Sequence, residues 1–190
     1  LKAAKQWKKP VVITYKQNDL PQNVGIVDFE KGRLDRLTEY AWLTDDTISA
    51  GVWTETGSWS YTEELDIKSS REIIHTLVDI VSKNGNLLLN ISPRADGSIP
   101  LEQRHSLLGV GDWLKVNGEA IYETRPFKIY GEGPKRMASS GHFVQMDSEY
   151  DAENLRFTTK DNNLYVIQMG WLGSHKEFTV NCLNHDNLAN

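Results

Sequence analysis

Hydrophobic and polar positions alternate with three different rhythms along the chain, and each rhythm predicts a different element. The clearest helix signal runs through Ile73, Ile74, Leu77, Val78 and Val81, which fall on one face at a period near 3.6. Ser69 and Glu72 stand three residues apart just before it, the spacing of a capping box. Asn84-Gly85 follows as a stop, the glycine being able to take a left-handed backbone. Next comes "NLLLNI", Asn86 to Ile91, whose apolar residues barely alternate. It reads as a strand covered on both faces, as in a parallel sheet wrapped by helices. After the turn "SPRADGS", Pro100 opens a second helix, packed by Leu107, Leu108, Val110, Trp113 and Leu114 and ended by Gly118.

The earlier part of the chain is more weakly patterned. Val11 to Ile13 predicts a short buried strand, and Thr47 to Ile48 another. Between them, Gln17 to Thr44 has no sustained period and reads as a long loop with one helical turn at most. Loops that long in a compact domain are usually functional or disordered. A second, aromatic-rich loop, "GVWTETGSWSYTEE", precedes the first clear helix. The order to residue 125 is thus strand, loop, strand, loop, helix, strand, helix. It predicts an α/β fold with a parallel sheet, of which a (β/α)₈ barrel and a doubly wound sheet are the two forms. The doubly wound form would often carry a glycine-rich phosphate turn, and none is present. From residue 127 the rhythm changes. "NLRFTTKDNNLYVIQMGW" alternates with period two about Asp161-Asn162-Asn163, a hairpin. "KEFTV" adds a further strand, and Trp171 and Tyr165 are expected in the core of this antiparallel region. The chain divides at this point into an α/β part, 1–126, and a β part, 127–190.

Composition narrows the partners. The chain has 190 residues, 39% hydrophobic and 25% charged, the balance of a folded protein. Its net charge of −5 and lack of a dense basic run argue against nucleic acid and anionic membranes. No apolar stretch is long enough to span a membrane. A single cysteine, Cys182, excludes an internal disulfide, and the five scattered histidines do not have zinc-site spacing. Six Trp and seven Tyr supply flat rings, which pack cores and also stack on sugar faces.

"LVDIVSKNGNLLLNISPRADGSIP" followed by "GDWLKVNGEAIYETRPF" resembles the α-L-fucosidases of glycoside hydrolase family 29. The agreement is close over Leu77 to Phe127 and looser back to Val11. The resemblance implies the C-terminal part of a (β/α)₈-like TIM barrel followed by an incomplete antiparallel β-sandwich. "NLLLNISP" becomes the last barrel strand and "RADGSIP" its exit turn, in which Asn90, Arg94 and Asp96 tie the strand end together. The sequon Asn90-Ile91-Ser92 would be inert inside such a strand. The implied activity is retaining exo-hydrolysis of terminal α-linked L-fucose from glycans, without metal or organic cofactor. Such chemistry needs two carboxyl groups about 5–5.5 Å apart. The resemblance places the nucleophilic aspartate upstream of Leu1, so this chain alone would lack it. The rest of the barrel would then come from elsewhere, most simply from a separate chain, covering the open sheet. Were the 190 residues active alone, Asp28 or Asp46 would have to serve as nucleophile.

For the general acid/base, the resemblance points to Glu30, since "FEKGR" is similar to the "ERGR" segment of related enzymes; without it, Glu30 is an ordinary loop glutamate. Glu55 is the alternative, and Glu39, Glu63 and Glu64 compete less well. Lys16 resembles a basic residue near the sugar, where a cation holds carboxylates and sugar oxygens. Trp59, in "SWSY", resembles the ring of the family's "SWGY" segment, which packs on the C5 methyl of fucose; Ser60 replaces the glycine. Trp42 and Trp53 are weaker candidates for the sugars beyond. Two other readings stay open: a non-catalytic carbohydrate-binding homologue, and a related glycosidase for another sugar. The residues themselves do not decide location; the resemblance implies a periplasmic or secreted bacterial enzyme.

Overall fold

The computed structural model describes residues 2–8, 10–16, 19–21, 24–51, 57–145, 150–174 and 177–183. After a short helix α1 (Lys2–Trp7), the chain forms a parallel sheet from β1 (Thr14–Lys16), β2 (Ile26–Asp28), β3 (Trp42–Thr47) and β4 (Gly85–Asn90). The strands lie in chain order, each beside its predecessor. Helix α2 (Ser70–Ser82) crosses from β3 to β4, and α3 (Leu101–Asn117) follows β4. The antiparallel part consists of β5 (Arg125–Glu132), β6 (Leu155–Lys160) and β7 (Asn163–Gln168). The family-level expectation of mixed α/β structure, a parallel sheet and then an antiparallel one, is met.

Several boundaries differ from those expected. The first strand is Thr14–Lys16, and Val11 to Ile13 are exposed instead of buried. β1 is the sheet's edge, and Ile13 only lends its carbonyl to Ile26 N–H (2.9 Å). The supposed loop 17–44 contains all of β2 and the start of β3, because a three-residue strand is too short to show a period. β3 runs over six residues, Trp42–Thr47, where only Thr47 and Ile48 were expected. Its alternation hides in polar residues: Trp42, Thr44 and Asp46 are buried toward α2, while Leu43 and Asp45 face the other side. β4 is not covered on both faces in this chain. Leu88 is 58% exposed: it stands opposite Asp45 and points, like it, to the face of the sheet away from α2. Leu108 is likewise exposed on α3.

Helix α2 begins as its sequence requires. Glu72 N–H donates to Ser69 Oγ (3.2 Å), and Ser69 N–H donates to the Glu72 carboxylate (2.6 Å). Its end differs from expectation: Asn84 takes the left-handed conformation (φ 72°), and Gly85 starts β4. Gly85 is glycine for space, because a Cβ there would stand 2.6 Å from the Trp42 ring. Trp42, Ile80 and Leu34 form the core between sheet and helix, joined by Val27, Phe29 and Leu87. On its other side α2 contributes Val78 to a second core with Ile121, Tyr150 and Met169.

The expected hairpin β6–β7 forms, but it turns through Asp161-Asn162 alone, with Asn163 already paired opposite Lys160. Residues 177–180 of "KEFTV" form no strand. Trp171 is 81% exposed, not core, and Tyr165 is half-buried with its hydroxyl on Glu119 (2.7 Å). β5 begins at Arg125, beside the expected division at 126/127. A buried ionic cluster fastens the antiparallel sheet to α2. Asp79, fully buried, takes Lys83 Nζ (2.8 Å), Arg156 Nε (2.9 Å) and the Tyr150 hydroxyl (2.8 Å), with Arg33 3.9 Å away. The Arg156 guanidinium also lies over the rings of Tyr150 (4.3 Å) and Tyr130 (5.4 Å).

Candidate active site

Parallel strands lying side by side bring their C-terminal ends to one edge, where the following loops collect. Lys16 closes β1 and stands level with Asp28, which closes β2. Two residues beyond Asp28, Glu30 turns back over this edge. Asp45 of β3 reaches the same point from the face of the sheet opposite α2. The Lys16 ammonium joins them, donating to Glu30 Oε2 at 2.9 Å and to Asp45 Oδ2 at 3.0 Å. Burial works against the ammonium, but its bonds to Glu30 and Asp45 outweigh that effect and hold the Lys16 pKa above its ordinary value. Glu30 keeps 28% of its side-chain surface exposed, so it remains reachable.

Asp28 lies beneath this group. Its Oδ1 accepts the Asp45 N–H at 3.0 Å. Burial, then the charge of Asp45, push the Asp28 carboxyl up to about 6, against the help of that backbone bond. Asp45 Oδ1 is buried and has no partner. Three carboxyl groups and one ammonium therefore converge at the strand ends.

The backbone of Glu30 is fixed from far along the chain. Its N–H donates to His142 Nδ1 (3.0 Å), and its carbonyl accepts from Phe143 N–H (2.8 Å). The acceptor role of Nδ1 leaves the imidazole hydrogen on Nε2 when the ring is neutral. His142 also packs against Phe29, ring centres 5.6 Å apart. Lys31 N–H bonds the Asp45 carbonyl (2.8 Å), and Gly141 N–H bonds the Arg33 carbonyl (3.1 Å). Gly32 permits this closeness, since a Cβ there would meet the Gly141 carbonyl oxygen at 1.9 Å. His142, 112 residues away from Glu30, carries no sequence signal for the role; only the fold reveals it.

The "SWSY" loop is pinned to the same edge. Thr47 Oγ1 donates to the Ser58 carbonyl (2.9 Å), and Ser58 N–H donates to Ser49 Oγ (3.0 Å). Asn90 Nδ2 and Ser92 Oγ, at the end of β4, donate to the Trp59 carbonyl at 2.8 and 3.4 Å. Asn90 thus ties the neighbouring loop, not its own exit turn. Asp96 does hold the turn, accepting Ser98 N–H (2.9 Å) and Oγ–H (2.7 Å). The Trp59 ring is half-buried at this edge. Ser60 sits outside the left-handed region, so it replaces glycine without backbone strain.

Other candidates are placed elsewhere. Trp42 is completely buried, and its Nε1–H donates to the Lys83 carbonyl (3.0 Å). It is a core residue with no ring face for a sugar, because the residues alternating along β3 turn it toward α2. Asp46 is also buried on that side and committed to Lys68 (2.8 Å). Glu39 lines a cleft of about 1050 Å³ with Asn84 and Gly85, at the opposite, N-terminal edge of the sheet. Glu63 and Glu64 are exposed. Glu55 and Trp53 lie outside the described residues. Among the described residues, no group of three or more His, Cys, Asp or Glu side chains converges to hold a metal ion.

The alpha-L-fucosidase family model matches residues 2–119. The chain is 33% identical over 145 residues to the tissue alpha-L-fucosidase of Rattus norvegicus, covering 75% of this chain and 26% of that protein. It is 46% identical over 124 residues to the plasma alpha-L-fucosidase of Homo sapiens, covering 64% and 23%. Among solved structures, an alpha-L-fucosidase superposes with a TM-score of 0.60 at 30% identity, over 76% of this chain and 29% of that one. The Thermotoga maritima alpha-fucosidase in complex with fucose superposes with a TM-score of 0.58 at 28% identity, over 80% and 29%. The chain spans about a quarter of the length of the curated relatives. With the family model covering most of its length, the strand-edge cluster of Lys16, Glu30 and Asp45 sits in a chain that belongs to the alpha-L-fucosidase family.

Proposed function

We propose that the protein acts as a retaining exo-α-L-fucosidase on terminal α-linked fucose of glycans, with Glu30 as its general acid/base. In this reading the four parallel strands are the C-terminal part of a (β/α)₈ barrel, residues 1–126. The antiparallel sheet in 127–190 is part of a β-sandwich. The nucleophilic carboxylate comes from barrel strands outside these 190 residues, in the same chain or a separate one. It attacks the anomeric carbon and forms a glycosyl ester. Glu30 gives its proton to the departing glycosidic oxygen, and then takes one from the water that cleaves the ester. Lys16 orients the Glu30 carboxyl. Trp59 offers its ring to the C5 methyl of fucose.

The observation that carries the reading is the bridge from Lys16 to Glu30 at the C-terminal edge of the sheet. There the most exposed of the three carboxyl groups is held by a cation, and its backbone by two hydrogen bonds. Family membership supports the substrate class.

Glu30→Gly in the full-length protein tests it. Hydrolysis of a fucosylated oligosaccharide should fall by about 10²–10⁴-fold, the usual worth of general acid–base catalysis. Nitrophenyl fucoside, whose leaving group needs little protonation, should be cleaved into the glycosyl ester nearly as before. Azide should then speed turnover and yield fucosyl azide. Near-normal cleavage of the oligosaccharide by the variant would remove Glu30 from the role. Fucose binding without turnover by the unaltered protein would favour a non-catalytic carbohydrate-binding homologue.

A further inference from the structure

An acid/base that touches an ammonium poses a chemical difficulty. A general acid must carry its proton when the substrate is bound, yet a cation in contact favours the ionised carboxylate. Lys16 lies 2.9 Å from Glu30. Had Lys16 no other partner, its full charge would draw the proton off Glu30.

The structure supplies a second partner. Asp45 Oδ2 takes the same ammonium at 3.0 Å, from the side of β3. An ionised Asp45 and Lys16 are together neutral, so Glu30 feels a divided charge. Beneath them Asp28 accepts the Asp45 N–H, and burial together with the Asp45 charge raises its pKa. Among the described residues, the charged or titratable groups facing the cluster are Lys16 from β1, Asp28 from β2, Asp45 from β3 and His142 from the turn after Gly141. His142 Nδ1 is occupied by the Glu30 N–H and does not reach the carboxyl through that atom.

We propose that Asp45 is a positioning residue that divides the Lys16 ammonium between two carboxylates, so that Glu30 can hold the proton it donates. The proposal rests on Glu30 being the acid/base.

The test is the pH dependence of kcat/KM of the full-length protein on a fucosylated oligosaccharide. Wild type, Asp45→Asn, Lys16→Met and the double variant are compared. In Asp45→Asn the whole Lys16 charge falls on Glu30, and the basic limb should move to lower pH by about one unit. In Lys16→Met the limb should move to higher pH. The double variant should follow Lys16→Met, because Asp45 acts only through Lys16. A basic limb of Asp45→Asn coincident with wild type overturns the proposal, as does an acidward shift that persists without Lys16. If Asp45→Asn does not fold, Lys16→Met alone decides: an unmoved limb overturns the proposal. Azide rescue of Glu30→Gly separates the two levels. With rescue and no shift, the role of Asp45 fails alone; without rescue, the assignment of Glu30 fails first.

Discussion

Trp59 shows how a single residue can be placed by its backbone while its ring remains available. Its carbonyl is held by Asn90 and Ser92, so the loop position does not depend on the indole. Trp59→Ala should therefore cost little folding stability. A methyl group packed on a ring is worth roughly 0.8 kcal/mol, about fourfold in rate, and the preference for fucoside over galactoside should fall by that order. The ratio of kcat/KM for the two nitrophenyl glycosides measures it, together with the melting temperature. An unchanged ratio with a large fall in Tm would make Trp59 a packing residue. Glu30 differs from Trp59 in kind, because its position depends on His142 and Phe143 from the far side of the chain.

At the scale of elements, the junction of α2 and β4 explains why two glycines behave in opposite ways. Gly85 opens β4 against the Trp42 ring and Ile80, each within 2.7 Å of where a Cβ would stand. Neither can retreat, since both are fully buried. Gly85→Ala should destabilise the fold by about 1–3 kcal/mol, the usual cost of overpacking. Gly111 lies inside α3 with nothing within 4 Å of its absent Cβ. Gly111→Ala should stabilise by up to about 1 kcal/mol through helix propensity alone. Urea unfolding of the two variants reads both signs; two changes of the same sign would contradict the packing seen at Gly85.

Across the whole molecule, Asp79 joins the antiparallel sheet to α2. Burial raises its pKa, but Lys83, Arg156 and Arg33 more than compensate and hold it at about 2. A carboxyl depressed in the folded state adds stability above its unfolded pKa of 3.8, and that stability is lost as pH falls toward 2. Unfolding free energy should thus show no contribution from Asp79 titration between pH 7 and about 5, then fall as pH drops from 4 to 2. Asp79→Asn leaves buried cations without their counter-charge and should cost about 3–5 kcal/mol at neutral pH. Amide exchange in β6 should rise with it, because Arg156 is the strand's tie to α2. Unchanged protection of β6 in Asp79→Asn would mean that the apolar contacts around Val78 and Tyr150 hold the antiparallel sheet to α2 without it.

The sequence by itself determined the elements whose information is local. The capping box at Ser69, the apolar stripe of α2 and Pro100 before α3 all lie where the pattern puts them, and the hairpin predicted about Asp161-Asn162-Asn163 forms with Asn163 already in the strand, because each depends on residues a few positions apart. The long run through Phe127 also carried the family. Tertiary structure decided what local pattern cannot encode. A strand of three residues, such as β2, has no period to detect, and the polar inward residues of β3 disguise a buried strand. Whether Trp42 meets sugar or core depended on which side of β3 faced α2. Whether Trp171 was buried depended on what packs beside it. Lys16, Glu30, Asp45 and His142 span 127 positions of the sequence. They meet only because parallel pairing aligns the strand ends and the turn at Gly141 folds back onto them.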